Sequence, residues 1–165
     1  MTEVSVTTTD DDVAGFTIAE TSGSTGVDES GSTDLFTIVL DTQPSSDVVL
    51  SITSSDTGEA TVESLIQFTS ANWDTPQNVT VTGVDDGIID GTQTSTITVT
   101  IVDAITDDDF DAVADQTVSV TTTDDDVAGF TIAETSGSTG VDESGSTDIF
   151  TVVLNAEPSS NVVLD

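Results

Sequence analysis

Residues 36–52 read FTIVLDTQPSSDVVLSI, and this stretch decides the fold. Phe36, Ile38 and Leu40 recur at every second position; Pro, Ser and Asp then break the pattern, and Val48, Leu50 and Ile52 resume it. Successive side chains of an extended chain point to opposite faces, so period-two alternation bounded by turn formers marks two half-buried strands. The same beat runs outward in both directions. Phe16 and Ile18 precede it; Ile66 and Phe68, Val79 and Val81, Ile97 to Ile101, and Val118 and Val120 follow. Thr fills many of the intervening positions, where its β-branching suits a pleated surface. No 3.6-residue period occurs. About seven strands in about 110 residues predict an antiparallel β-sandwich.

The stretch also recurs. Residues 4–51 and 118–165 match at 41 of 48 positions with an offset of 114, and VSVTTTDDDVAGFTIAETSGSTGVDESGSTD is common to both. The differences are mild: Leu35 becomes Ile149, Ile38 becomes Val152 and Asp41 becomes Asn155. A period this long exceeds a solenoid unit and suits a tandem array of whole domains. The expected division is 1–12, the last strand and acidic linker of a preceding repeat; 13–126, a complete repeat; and 127–165, the first strands of a following one.

The 165 residues carry 32 acidic side chains and no Lys, Arg or His, a formal net charge of −32. Ordinary usage would supply roughly twenty basic residues. Without them no carboxylate can form an ion pair within the chain. A phosphate-binding surface is excluded, so nucleic acid is not an expected partner, and anionic membranes would repel the chain. Asp outnumbers Glu 24 to 8 and gathers in short runs between the strand-like segments, a clustering that a solvating coat does not need. Cys is absent, which removes disulfides and thiolate metal sites. No apolar run is long enough to span a bilayer and no signal peptide is visible. With no His, Cys, Lys, Arg or Tyr to act as base, nucleophile or oxyanion clamp, the chain is not expected to be an enzyme.

Strand direction places the acidic runs. If consecutive strands alternate in direction, the loops 28–32, 54–58 and 84–92 and the segment 124–126 all meet at one end. They bring Asp28, Glu29, Asp56, Asp85, Asp86, Asp90, Asp124, Asp125 and Asp126. Gathered carboxylates would splay those loops unless a cation sat among them. Ca²⁺ accepts 6–8 oxygen ligands in flexible geometry, whereas zinc and copper favour the His and Cys missing here, and Mg²⁺ keeps its waters. Asp107, Asp108, Asp109 and Asp111 fall at the opposite end, where Asp10, Asp11 and Asp12 could join them around a metal; a solvated acidic loop is the plainer account.

The acidic motifs VTTTDDDVAGF, VDDGIID at 84–90, VDESGS at 27–32 and SSDTGEA at 54–60 resemble those of the Calx-beta family. That family includes the calcium sensors of sodium–calcium exchangers and is common in bacterial surface proteins. The resemblance implies an immunoglobulin-like sandwich binding several Ca²⁺ ions beside the next domain. Carried over by position, its ligands are Glu29, Asp56, Asp85, Asp86, Asp90 and Asp124 to Asp126. The family's usual glutamate in one loop is replaced by Asp90, and FTSANWDTPQNVTVTG and ITDDDFD belong to a bacterial variant.

Together these readings give a calcium-binding spacer repeat of a large extracellular bacterial adhesin or surface protein. Ca²⁺ would stiffen junctions with neighbouring repeats of the same chain. The alternatives are a ligand-binding adhesin module and a subunit of an extracellular filament that self-associates into fibres. Trp73, the only Trp, is expected to plug the core rather than to form a sugar platform. Asn78-Val79-Thr80 matches a glycosylation acceptor but sits in a strand-like run.

Overall fold

The computed structural model describes residues 3–165; Met1 and Thr2, part of the expected linker, lie outside them. Eleven strands form among the described residues. Nine of them, β1 (Phe16–Glu20), β2 (Thr25–Asp28), β3 (Thr33–Leu40), β4 (Val48–Ser54), β5 (Ala60–Val62), β6 (Leu65–Phe68), β7 (Gln77–Gly83), β8 (Gln93–Ile101) and β9 (Gln116–Thr123), make two facing sheets. One has the order β1-β3-β7-β5 and the other β2-β9-β8-β4-β6. All neighbours are antiparallel except β2 and β9, which run parallel. The chain is therefore an immunoglobulin-like β-sandwich.

The alternating residues supply the core. Phe36, Ile38, Val79 and Val81 from one sheet meet Leu50, Ile52, Phe68, Ile97, Val99 and Val120 from the other, all buried. Burying each such side chain contributes about 1.5–3 kcal/mol by area removed from water. Trp73 is half-buried against this cluster and its carbonyl accepts from the Leu40 amide at 3.1 Å, in keeping with a core plug. Phe110, carried on a single 3-10 turn at Asp108–Phe110, closes one end.

Two strands escape a simple alternation count. After β1 the chain turns at Gly23, whose φ of +79° favours glycine, and crosses to the other sheet as β2. A similar crossing splits the run before Phe68 into β5 and β6, one in each sheet. A β1–β2 pair that changes sheets delivers its end next to the end of β9, because the two run in the same direction.

The second copy begins the same way without finishing. β10 (Phe130–Glu134) pairs with β11 (Phe150–Leu154) in the register of β1 with β3. Thr131 even donates to Asn155 at 2.9 Å where Thr17 donates to Asp41 at 2.7 Å. Among the described residues none covers the pair: Phe130 is 50% exposed where its counterpart Phe16 is 3%. The copy touches the first sandwich through the β7–β8 loop. There the Glu157 amide donates to the Gly87 carbonyl at 2.6 Å, Ile88 bridges Glu157, and Ile89 lines an apolar cavity of about 200 Å³ with Phe130 and Leu154.

Candidate metal centre

Seven strand ends converge at the distal end of the sandwich. The registers place the end of β7 beside the first residues of β3 and β5, and the ends of β2 and β9 together with the first residues of β8. β4 ends opposite Ile97, and the Ser55 amide carries the pairing on to the Thr96 carbonyl at 2.9 Å. The loops 29–32, 55–59 and 84–92 and the exit at 124–126 therefore share one rim.

Glu29 is placed by strand alternation carried one step past the strand. Thr25 and Val27 of β2 face inward, so Glu29 does too, and its amide extends the parallel ladder to the Thr123 carbonyl at 3.1 Å. Gly31, at φ +89°, then turns the chain back, with its amide donating to the Asp28 carbonyl at 3.3 Å. β9 behaves in the same way. Val118, Val120 and Thr122 point inward, and beyond them Asp124 and Asp126 are half-buried while Asp125 is exposed. The consequence is a group in which one carboxylate oxygen each of Glu29, Asp124 and Asp126 lies within 4.8 Å of the others.

A second group, Glu59, Asp86 and Asp90, meets the same criterion of 4.8 Å. Glu59 is held from its backbone: its carbonyl accepts from the Val84 amide at 2.9 Å and from the Thr122 hydroxyl at 3.4 Å. The Asp86 carboxylate caps its own turn, accepting from the amides of Gly87 and Ile88 at 2.6 Å each. Asp124 ties the rim together, accepting from the Gly91 amide at 2.8 Å across the β7–β8 loop.

The electrostatics of this rim are unfavourable as it stands. Both side-chain oxygens of Glu29, together with Glu59 Oε2 and Asp126 Oδ2, are buried without a hydrogen-bond donor. Burial first, then the charges of Asp124, Asp86, Glu59 and Asp90, push the Glu29 carboxyl up to about 7. Burial followed by Asp90, Asp56, Asp86 and Asp124 raises Glu59, and burial followed by Asp124, Asp125, Asp85 and Asp86 raises Asp126. Each group feels the other's charges. Two unit charges about 4 Å apart repel by about 4 kcal/mol at an effective dielectric near 20.

The carried-over positions divide accordingly. Glu29, Asp86, Asp90, Asp124 and Asp126 fall within the two groups. Asp56, Asp85 and Asp125 flank them, close enough to act on Glu59 or Asp126; Asp56 also caps its own loop by accepting from the Gly58 amide at 2.9 Å. Asp28 faces away and serves its turn, its carboxyl lowered first by the hydroxyl of Ser30 and then by that of Ser32. Glu59 was not singled out from the sequence. Its signal was its place in SSDTGEA immediately before an apolar strand residue, but no alternation leads to it, because Glu59 and Ala60 are buried consecutively.

The proximal end is different. Asp107 is buried, and its Oδ2 accepts from the Ser45 amide, the Ser45 hydroxyl and the Ser46 amide at 2.7 Å each, while Oδ1 accepts from the Asp109 amide at 3.1 Å. Those donors, the Ser45 hydroxyl foremost, lower its carboxyl to about 2. Asp107 thus pins the β3–β4 loop to the β8–β9 loop. Asp10, Asp12 and Asp109 border an open cavity of about 400 Å³ beside it, and Asp11, Asp108 and Asp111 are exposed. Among the described residues, none of these belongs to a group of three convergent carboxylates.

No protein-family model and no curated protein sequence matches the chain. Solved structures do match. The Escherichia coli (E. coli) chaperone DraB aligns with a TM-score of 0.50 at 9% identity, over 72% of this chain and 60% of the DraB chain. The apo-form Calx CBD1 domain aligns at 0.49 and 14% identity, over 70% of this chain and all of that domain. SSP-19, an MSP-domain protein like family member in Caenorhabditis elegans, aligns at 0.41 and 17% identity, over 64% of this chain and 97% of its own. At these identities the likeness to DraB concerns the sandwich fold alone.

Proposed function

We propose that the chain is a calcium-binding spacer, a repeat of a large extracellular bacterial adhesin or surface protein whose junctions are stiffened by Ca²⁺. The observation that carries the reading is the buried, donor-less carboxylate of Glu29 beside Asp124 and Asp126 in a chain with no cationic side chain. A buried carboxylate requires a partner or a proton. An oxygen-only site at a rim of flexible loops fits a hard cation of variable coordination, and oxygens about 2.3–2.6 Å from one Ca²⁺ lie within about 5 Å of each other. Glu29, Asp124 and Asp126 would hold one ion and Glu59, Asp86 and Asp90 another, with Asp56, Asp85 and Asp125 beside them.

The link to spacing runs through residues 84–92. This loop supplies Asp86 and Asp90 and also touches the following copy through Gly87, Ile88 and Ile89. A cation that orders the loop orders the junction. Millimolar extracellular calcium would fill even weak sites of this kind. The absence of Lys and Arg, which leaves no trypsin-type cleavage point, suits the same setting.

Calorimetric titration of Ca²⁺ into chelated protein, run beside small-angle scattering, tests this reading. Ion binding with a more extended, less variable particle in calcium supports it. No heat at millimolar calcium, or bound calcium with no change in dimensions, would remove the spacer role.

A further inference from the structure

The surface that receives the β7–β8 loop occurs twice in this chain. In the second copy the Glu157 amide donates to the Gly87 carbonyl at 2.6 Å, Glu157 bridges Ile88, and Ala128, Ala156 and Pro158 line the cavity that Ile89 shares. The offset of 114 maps those four receiving positions onto Gln43, Ala14, Thr42 and Pro44. All four line the open cavity of about 400 Å³ at the proximal end of the first sandwich. The linker aspartates keep their places as well. Asp124 lies against the loop, accepting from the Gly91 amide at 2.8 Å, and its counterpart Asp10 borders the proximal cavity.

We propose that this proximal cavity is a docking socket for the β7–β8 loop of an adjoining repeat. The second copy gives the register. The Gln43 amide, which has no acceptor among the described residues, would donate to the carbonyl of the residue equivalent to Gly87. The residue equivalent to Ile88 would lie beside Gln43, and that equivalent to Ile89 would pack among Ala14, Thr42 and Pro44. Loop and socket stand at opposite ends of one sandwich, so the contact is heterologous and repeats from unit to unit along an array.

The two sockets are not equal. Three of the seven differences between the copies fall at residues 41–43, inside the socket. Ala156 offers the isoleucine a methyl wall, whereas Thr42 sets a hydroxyl against it, and a hydroxyl covered without a hydrogen bond costs free energy. The first socket should therefore hold the loop less tightly than the second. Both partners are also acidic: Asp10, Asp12 and Asp109 border the socket, and Asp85, Asp86 and Asp90 belong to the loop. Docking gathers like charges, which a cation would offset. That calcium dependence rests on the calcium-binding reading; the fit of loop to socket does not.

Titration of a synthetic peptide of residues 84–91, VDDGIIDG, into the isotope-labelled 165-residue chain tests the proposal, with amide shifts read by NMR in millimolar calcium and in chelator. The expected shifts in calcium centre on Ala14, Thr42 and Gln43. Binding should weaken at least tenfold for an Ile89→Asp peptide or a Thr42→Asp chain and tighten for a Thr42→Ala chain. Thr42 lies at the surface, half-buried, so both chain variants should keep the thermal unfolding of the sandwich. Since the chain lacks Cys, a peptide with Ile88→Cys should link under mild oxidation to a Gln43→Cys chain, and not to one with Thr96→Cys on an outer sheet face.

Short tethers hold neighbouring units at millimolar effective concentration, so a cavity that ignores the peptide at about 10 mM would stand empty in an array. Unshifted Thr42 and Gln43 under those conditions overturn the socket, and calcium binding seen beside that result leaves the calcium reading standing. Shifts that survive Ile89→Asp also overturn it and point to charge contact alone. Ile89-dependent shifts equal in calcium and in chelator support the socket and count against a cation at the junction.

Discussion

Gly83, the last residue of β7, passes so close to the backbone of Asp28 that a Cβ on Gly83 would lie 2.0 Å from the Asp28 carbonyl oxygen. The atom in the way is main chain and cannot swing aside. This approach lets β2 enter the rim from one sheet while β7 ends in the other, and it fixes the position from which Glu29 turns inward.

Gly83→Ala should therefore destabilise the sandwich by about 3 kcal/mol, the upper part of the usual range for forcing extra volume into packed structure. Urea unfolding measures this. Because β2 must shift to relieve the clash, calcium affinity should fall in the same variant. Unchanged stability would mean that the two backbones are not held together in solution.

The six grouped carboxylates should matter more than their neighbours. Glu59→Gln or Asp90→Asn should weaken calcium binding at least tenfold, equivalent to about 1.4 kcal/mol, by calorimetric titration. Asp125→Asn, which removes an exposed charge, should change it much less. Equal losses in the three variants would indicate diffuse charge rather than a defined site.

Chelated protein should lose stability as pH rises from the ordinary glutamate range through about 7. Glu29 has its folded pKa raised, to about 7, so the folded state binds its proton more tightly than the unfolded chain does. Its contribution is present at pH below the unfolded value and disappears as pH passes the folded value. Melting temperatures from mildly acidic to mildly basic pH should show this slope in chelator, and Glu29→Gln should flatten it. Saturating calcium should also flatten it, since an ion bound only to the folded state adds about 2.7 kcal/mol at one hundred times its dissociation constant.

Asp107 should behave in the opposite way. Its pKa is lowered to about 2, so its contribution is complete above the ordinary aspartate range and is lost as pH falls toward 2. Asp107→Asn removes the charge that four donors address and should cost about 3 kcal/mol. The loss should be the same in calcium and in chelator. A calcium-dependent loss would instead make Asp107 part of a metal site.

The sequence by itself determined seven of the nine sandwich strands, their inward faces and the end at which the acidic loops meet, because these follow from a period of two and an alternating strand direction; β2 and β5 were not legible in that pattern. Asp124 and Asp126 lie on the inward beat of Val118 and Val120, since alternation continues past a strand end, whereas the inward position of Glu29 depends on β2, which only the structure shows. Only the tertiary structure selected Asp86 over Asp85, brought Glu59 beside Asp90, and gave Asp107 at the proximal end to a loop-pinning turn instead of a metal or a solvated loop. Those choices depend on how irregular loops lie against one another, as in the cap that turns Asp86 back on Gly87 and Ile88 and the backbone pairing of Glu59 with Val84. The pairing of β2 with β9 was likewise decided at that level. It joins residues nearly a hundred positions apart in a parallel ladder, and the four residues of β2 carry no local signal of which sheet they join.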